Sequence, residues 1–158
     1  MIINDKSKVL RDEVVRTGKS FFDISTWIDE IRLIGFEHVE NLDSKVQIEI
    51  CKSDHLMWRW KVYNMILGNV ILDEEAVGTH MTCRLGKWTE EQINEDNPHL
   101  NELMRTLKQP HSALHSLAKD AIKEYKQNNI AAAEEILLQM DQCSKTIIDI
   151  LDKIKEIY

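Results

Sequence analysis

Pro110-His111-Ser112-Ala113-Leu114-His115-Ser116-Leu117-Ala118-Lys119-Asp120-Ala121-Ile122 repeats with the period of a helix, and the rest of the chain is read outward from it. His111, Leu114, His115, Ala118, Ile122 and Tyr125 fall on one stripe, at the spacings that share a helical face. That stripe predicts a helix whose apolar side enters a core and takes two imidazoles with it. Residues four apart lie one turn apart, so both rings reach the same volume. A buried polar ring must find a partner, and one metal ion serves two rings at once, the geometry that His-Glu-x-x-His helices exploit. The spacing by itself is weak warrant, because His-x-x-x-His also arises by chance.

Upstream, Asn97-Pro98 predicts a helix start with proline in the first turn. Leu100, Leu103, Met104 and Leu107 line that helix, and Pro110 is expected to restart it. Thr89-Glu90-Glu91-Gln92 reads as a capping box, as does Ser44-Lys45-Val46-Gln47. The helix opened at Ser44 is expected to run to Leu67 and stop at Gly68-Asn69. Its inward stripe is Ile48, Cys51, His55, Trp58, Val62 and Met65–Ile66. His55 therefore faces the interior that receives His111 and His115, either as a hydrogen-bonded core histidine or as a third ligand. Between these helices, Asp73-Glu74-Glu75 can cap a short helix through Val77, leading into Thr79-His80-Met81-Thr82-Cys83.

The two ends of the chain carry packing rather than chemistry. Residues 5–17 suggest a short helix stopped near Gly18. A second, from Ser20, has its stripe at Ile24, Trp27, Ile28, Ile31 and Ile34 and ends at Gly35, which is either a stop or a kink. His38 reads as a surface or packing residue. From Asn129 onward, Ala133, Ile136, Met140, Cys143, Ile147, Ile150, Ile154 and Ile157 form a heptad seam. Leu137, Ile148 and Leu151 widen it towards a bundle interior plus a second contact, which makes a homodimer a reasonable expectation.

Composition limits the function. The chain has 158 residues, one domain's worth, and its two prolines and five glycines favour helices with short connections. A net charge of −7 without a basic block argues against nucleic acid or an anionic membrane surface as main partner. No apolar run is long enough to cross a bilayer, and no secretory-type segment follows Met1, so a cytoplasmic location is expected. Cys51, Cys83 and Cys143 are dispersed and odd in number, unlike a disulfide framework. Cys51 and Cys143 fall on apolar stripes as small hydrophobes. Cys83, in a short connection, is the thiol left for chemistry. With His55, His111 and His115 it makes four donors of the types zinc prefers. The gaps between them are too long for a zinc finger, so separate helices have to bring them together.

His55 with Trp58 downstream, Cys83-Arg84-Leu85-Gly86-Lys87-Trp88, and Pro110-His111-x-x-x-His115 together resemble the chemoreceptor zinc-binding (CZB) domain family. The Cys-x-Leu-Gly-Lys-Trp block is the specific part, and the resemblance spans roughly residues 44 to 158. It implies one zinc held by His55, Cys83, His111 and His115 on a helical bundle that dimerises. It also implies a regulatory role beside a bacterial chemoreceptor or diguanylate cyclase. Thr89 stands where an aromatic often follows the tryptophan, which bears on packing. Residues 1–43 lie outside the resemblance, and no Gly-Gly-Asp/Glu-Glu-Phe signature of a cyclase occurs.

The fold class expected is all-α: an antiparallel four-helix bundle over residues 44–158, with an additional N-terminal helical segment over 1–43. The function expected is a non-catalytic, zinc-binding sensory or regulatory domain of chemotaxis or cyclic-di-GMP control. Cys83 is its labile, redox-responsive ligand, whose loss releases residues 79–92 while the main helices persist. His80 reads as an outer or solvated histidine, and His99 as exposed in a first turn. One alternative is a histidine phosphotransfer bundle, which needs an exposed histidine where the stripe turns His115 inward. Another is a helical interaction module with a purely structural zinc. A carboxylate-bridged di-iron bundle fails because no glutamate lies three residues before His55, His111 or His115. A hydrolytic zinc enzyme is disfavoured because four protein ligands leave no place for water.

Overall fold

A computed structural model describes residues 2–37, 42–92 and 97–158, and of the first helix the side chains of residues 6–31. The elements are α1 (Ile2–Glu37), α2 (Ser44–Ile66), a 3-10 turn (Glu75–Val77), α3 (Arg84–Gln92), α4 (Pro98–Lys126) and α5 (Ile130–Lys155). Among the described residues there is no strand, and the chain is an all-α bundle.

The most extensive packing is between α4 and α5, and α2 lies against both. The α5 seam supplies Ala133, Met140, Ile147, Ile150 and Ile154 to the core, joined by Leu151 and Ser144. Ile136, Cys143 and Ile157 sit half-buried at its edge. On α2, Ile48, Cys51, His55, Val62 and Met65 are buried, with Trp58 and Ile66 beside them. Lys52 is buried too, paired with Glu49 of its own helix and Asp152 of α5.

The ends of the helices follow local chemistry, with some shifts from expectation. Asp43, not Ser44, caps α2, accepting from the Lys45 N–H at 2.9 Å. The Gln47 N–H donates to the Asp43 carbonyl at 2.9 Å, so the helix starts one residue earlier and Ser44 becomes its first residue. Gly68 closes α2 in the left-handed region at φ +77. Its N–H donates to Met65 and the Asn69 N–H to Asn64, both at 2.9 Å, a Schellman closure. Asn97 caps α4 through the Leu100 N–H at 3.0 Å, with Pro98 in the first turn. Asn129 holds the cap position of α5, but its side-chain amide donates to Glu124 instead.

Three expected breaks are absent. Pro110 lies inside α4, which runs unbroken from Pro98 to Lys126. A helical proline removes the donor to the carbonyl four residues back. Here that residue is Thr106, which is exposed, so water can serve its carbonyl. The helix α1 likewise runs through Gly18 and Gly35. Gly18 is there for close approach: a Cβ on it would meet Leu67 Cδ1 at 3.2 Å. Phe21 stands edge-on to Trp60, and Asp29 lies 3.9 Å from Lys61. The apolar stripe of this segment lies in solvent: Ile24, Trp27, Ile28 and Ile31 are 47 to 69% exposed. His38 lies outside the described residues.

Candidate metal centre

Three elements deliver four donors to one place. The helix α2 brings His55, α4 brings His111 and His115 one turn apart, and Cys83 stands at the threshold of α3. Ring centroids are 4.9 Å apart for His55 and His111, 5.1 Å for His111 and His115, and 6.3 Å for His55 and His115. The Cys83 Sγ lies 3.1 Å from His111 Nε2. One donor atom from each of the four falls within 4.8 Å of every other, and the three histidines are buried with Cys83 half-buried. All four sequence-derived candidates are therefore brought together.

Each donor is aimed by its surroundings. His55 Nδ1 lies 2.5 Å from the Cys51 carbonyl, which can only accept. The proton must then sit on Nδ1, leaving the Nε2 lone pair free, as metal-binding histidines require. His115 Nδ1 is buried. The Val77 carbonyl beside the ring is the acceptor placed to take its proton.

The cysteine is held by a tight turn. The N–H groups of Thr82 and Cys83 both donate to the Thr79 carbonyl at 3.1 Å, and the Thr79 N–H donates to Thr82 Oγ1 at 3.1 Å. Cys83 then takes the cap position of α3: its carbonyl accepts from Lys87 at 3.1 Å and its sulfur from the Gly86 N–H at 3.5 Å. A Cβ on Gly86 would stand 1.9 Å from the His80 carbonyl oxygen, so only glycine lets the turn and the helix meet. Arg84 Nε donates to Asp54 Oδ2 at 3.2 Å, tying the start of α3 to α2 beside His55. Leu85 and Trp88 are buried beneath. The helix begins at Arg84, so the pattern at Thr89–Gln92 is not a start but its final turn, where Thr89 Oγ1 donates to the Gly86 carbonyl at 2.9 Å.

Electrostatics keep the imidazoles neutral. Burial, reinforced by the neighbouring rings of His55, His115 and His80, pulls His111 down to about 3. Burial and His55 pull His115 down to about 4, against the Val77 carbonyl beside it. His55 is lowered by burial, partly opposed by its Cys51 hydrogen bond. Burial raises the Cys83 thiol, with the Gly86 and Leu85 N–H groups pulling the other way. The site thus presents three nitrogen lone pairs and one sulfur to a small volume, with no fixed cation to balance a thiolate among its four members.

The residues fit a single zinc ion by donor type and burial. Bonds of about 2.0–2.3 Å hold four donors somewhat closer than these stand, so the group would close slightly on binding one ion. His80 is half-buried, its ring 5.9 Å from that of His111 and outside the group of four. His99 is exposed, Cys51 fully buried and Cys143 half-buried. Sequence reasoning missed the Arg84–Asp54 tie, since thirty residues separate the partners and no local pattern marks them. It also missed the Cys51 carbonyl behind His55, although the four-residue offset of a helix could have named it.

Comparison with known proteins matches residues 55–122 to the family described as the chemoreceptor zinc-binding domain. No curated protein and no solved structure aligns with the chain at a significant level. None of the described helices is long and apolar enough to cross a membrane.

Proposed function

We propose, on the match of residues 55–122 to the chemoreceptor zinc-binding domain family, that His55, Cys83, His111 and His115 hold one zinc ion in a sensory or regulatory domain of bacterial signalling. The observation that carries this is the convergence of one sulfur and three nitrogens within 4.8 Å, on three separate elements. When bound, zinc supplies a closed four-ligand cross-link and the folding free energy that goes with it. The chain's own residues do the rest. The Cys51 carbonyl fixes the His55 tautomer, the Gly86 contact seats the Cys83 turn, and the Arg84–Asp54 pair holds α3 against α2.

Cys83 is the labile member. It is half-buried where the histidines are buried, and it stands on a turn before a nine-residue helix rather than within a long one. An oxidant such as a peroxide attacks sulfur far more readily than imidazole. Losing that ligand loosens α3, which keeps its Arg84–Asp54 pair and its buried Leu85 and Trp88, while α2, α4 and α5 stay packed. Four protein ligands leave no position for a substrate water, which supports a non-catalytic role.

In this reading residues 44–158 are the sensing bundle and residues 1–43 its extension towards a signalling output of chemoreceptor or diguanylate cyclase type, in the cytoplasm. The exposed stripe of α1 favours a homodimer. His115, only 7% exposed, is poorly placed for phosphotransfer. Elemental analysis of the purified protein tests the core of the proposal. One zinc per chain is expected; two irons per chain, or a folded protein that takes up no zinc, would sink it.

A further inference from the structure

The turn that carries Cys83 carries a fifth donor. His80 lies three residues earlier, and its ring is 5.9 Å from that of His111, nearer than His55 and His115 are to each other at 6.3 Å. A cavity of about 80 Å³ is lined by both His80 and His111, together with Gly86, Met104 and Leu107. The His80 ring thus has open space on the side where it meets a member of the cluster. Its backbone is anchored there as well, since the His80 carbonyl sits against Gly86 and within 3.6 Å of the Cys83 sulfur.

Resting on the reading of the four residues as zinc ligands, we propose that His80 is a reserve ligand. When the Cys83 sulfur is withdrawn, His80 takes the fourth position, and the site passes to four imidazoles of lower affinity instead of emptying. One metal–sulfur bond is exchanged for one metal–nitrogen bond. The sulfur keeps its electron pair and takes a proton from water, and a His80 ring nitrogen gives its lone pair to the metal. Both donors ride on residues 79–83, so the exchange moves one turn and leaves α2 and α4 where they are. Loss of the sulfur would then loosen α3 with the turn still tethered, whereas chelation of the metal would loosen both.

Cobalt(II) bound to the full chain makes the exchange visible. The unmutated protein should show tetrahedral d–d bands together with a sulfur-to-cobalt charge-transfer band. Cys83→Ala should lose the charge-transfer band and keep the intense d–d bands. Adding His80→Ala to it should abolish those bands and weaken zinc binding by about tenfold or more in chelator competition, while His80→Ala alone changes affinity by about twofold at most. An equal loss from His80→Ala in both backgrounds, or weak six-coordinate bands already in Cys83→Ala, overturns the proposal. If Cys83→Ala does not fold, alkylation of Cys83 in the zinc-loaded protein decides: the unmutated chain should retain zinc where His80→Ala releases it, and release from both refutes a reserve ligand. Absence of the sulfur band from the unmutated protein would remove the four-ligand reading itself, and this proposal with it.

Discussion

At Gly86 a hydrogen atom occupies the place where any side chain would stand 1.9 Å from the His80 carbonyl oxygen. The obstacle is backbone, so no rotamer relieves it. Gly86→Ala must displace the turn and carry Cys83 out of reach of His111. We expect zinc affinity to fall by about ten- to a hundredfold, the range for losing a ligand's support, with helical content by circular dichroism unchanged. An unaltered affinity would mean that the turn does not place the sulfur. The titration of the donors yields a second expectation. With His111 at about 3, His115 at about 4 and His55 lowered by burial, the imidazoles are already neutral at pH 7 and have no proton to give up. Cys83, raised by burial, must surrender one. Zinc uptake should therefore release about one proton per site, and affinity should rise about tenfold per pH unit between roughly pH 5 and 8. Going the other way, acid weakens binding, and more steeply once the pH falls through about 4, where His115 begins to take a proton. Calorimetry in buffers of different ionisation enthalpy counts the protons. Release of two or more at neutral pH would contradict the neutral imidazoles.

Among the elements, α1 and α4 depart most from what their sequences suggest. Proline inside a helix costs about 3 kcal/mol, yet α4 continues through Pro110 because both of its halves pack on the core, with Met104 and Leu107 buried before the proline and His111, Leu114 and His115 after it. Tertiary packing outweighs the local break. In α1 the opposite holds: 36 residues span roughly 54 Å at about 1.5 Å per residue, and the bundle covers little of the described side chains, residues 6–31. Ile24, Trp27, Ile28 and Ile31 remain in solvent in the single chain. Contiguous apolar faces of that size mark interaction sites. The homodimer proposed above would cover this one, so Trp27→Glu with Ile28→Glu should convert a dimer to a monomer in sedimentation velocity while zinc content stays at one per chain. A native protein that is monomeric at micromolar concentration would remove this role for α1.

For the whole molecule, the cluster is the point where α2, α3 and α4 meet. Structural zinc sites contribute about 10–16 kcal/mol, so removing one of four ligands forfeits roughly a quarter of that, about two orders of magnitude in affinity. His111→Ala should accordingly lose zinc and melt at a lower temperature, whereas exposed His99→Ala should change neither; differential scanning calorimetry with metal analysis tells them apart. The sequence by itself determined the parts whose warrant is local. Periodicity marked the inward faces of α2, α4 and α5, Asn97-Pro98 and Gly68 marked two helix boundaries, and those faces carried His55, His111 and His115 to one interior. The Cys83–Trp88 block named the fourth donor. Only the tertiary structure decided the rest. Whether Pro110 and Gly18 interrupt a helix depends on the neighbour each packs against, and a stripe of apolar residues does not say whether it meets its own chain. That Cys83 caps α3, that Arg84 reaches Asp54, and that His80 comes to lie beside His111 are long-range outcomes. Helical period fixes the direction of a side chain about its own axis, but the distance between two axes is set by everything packed between them.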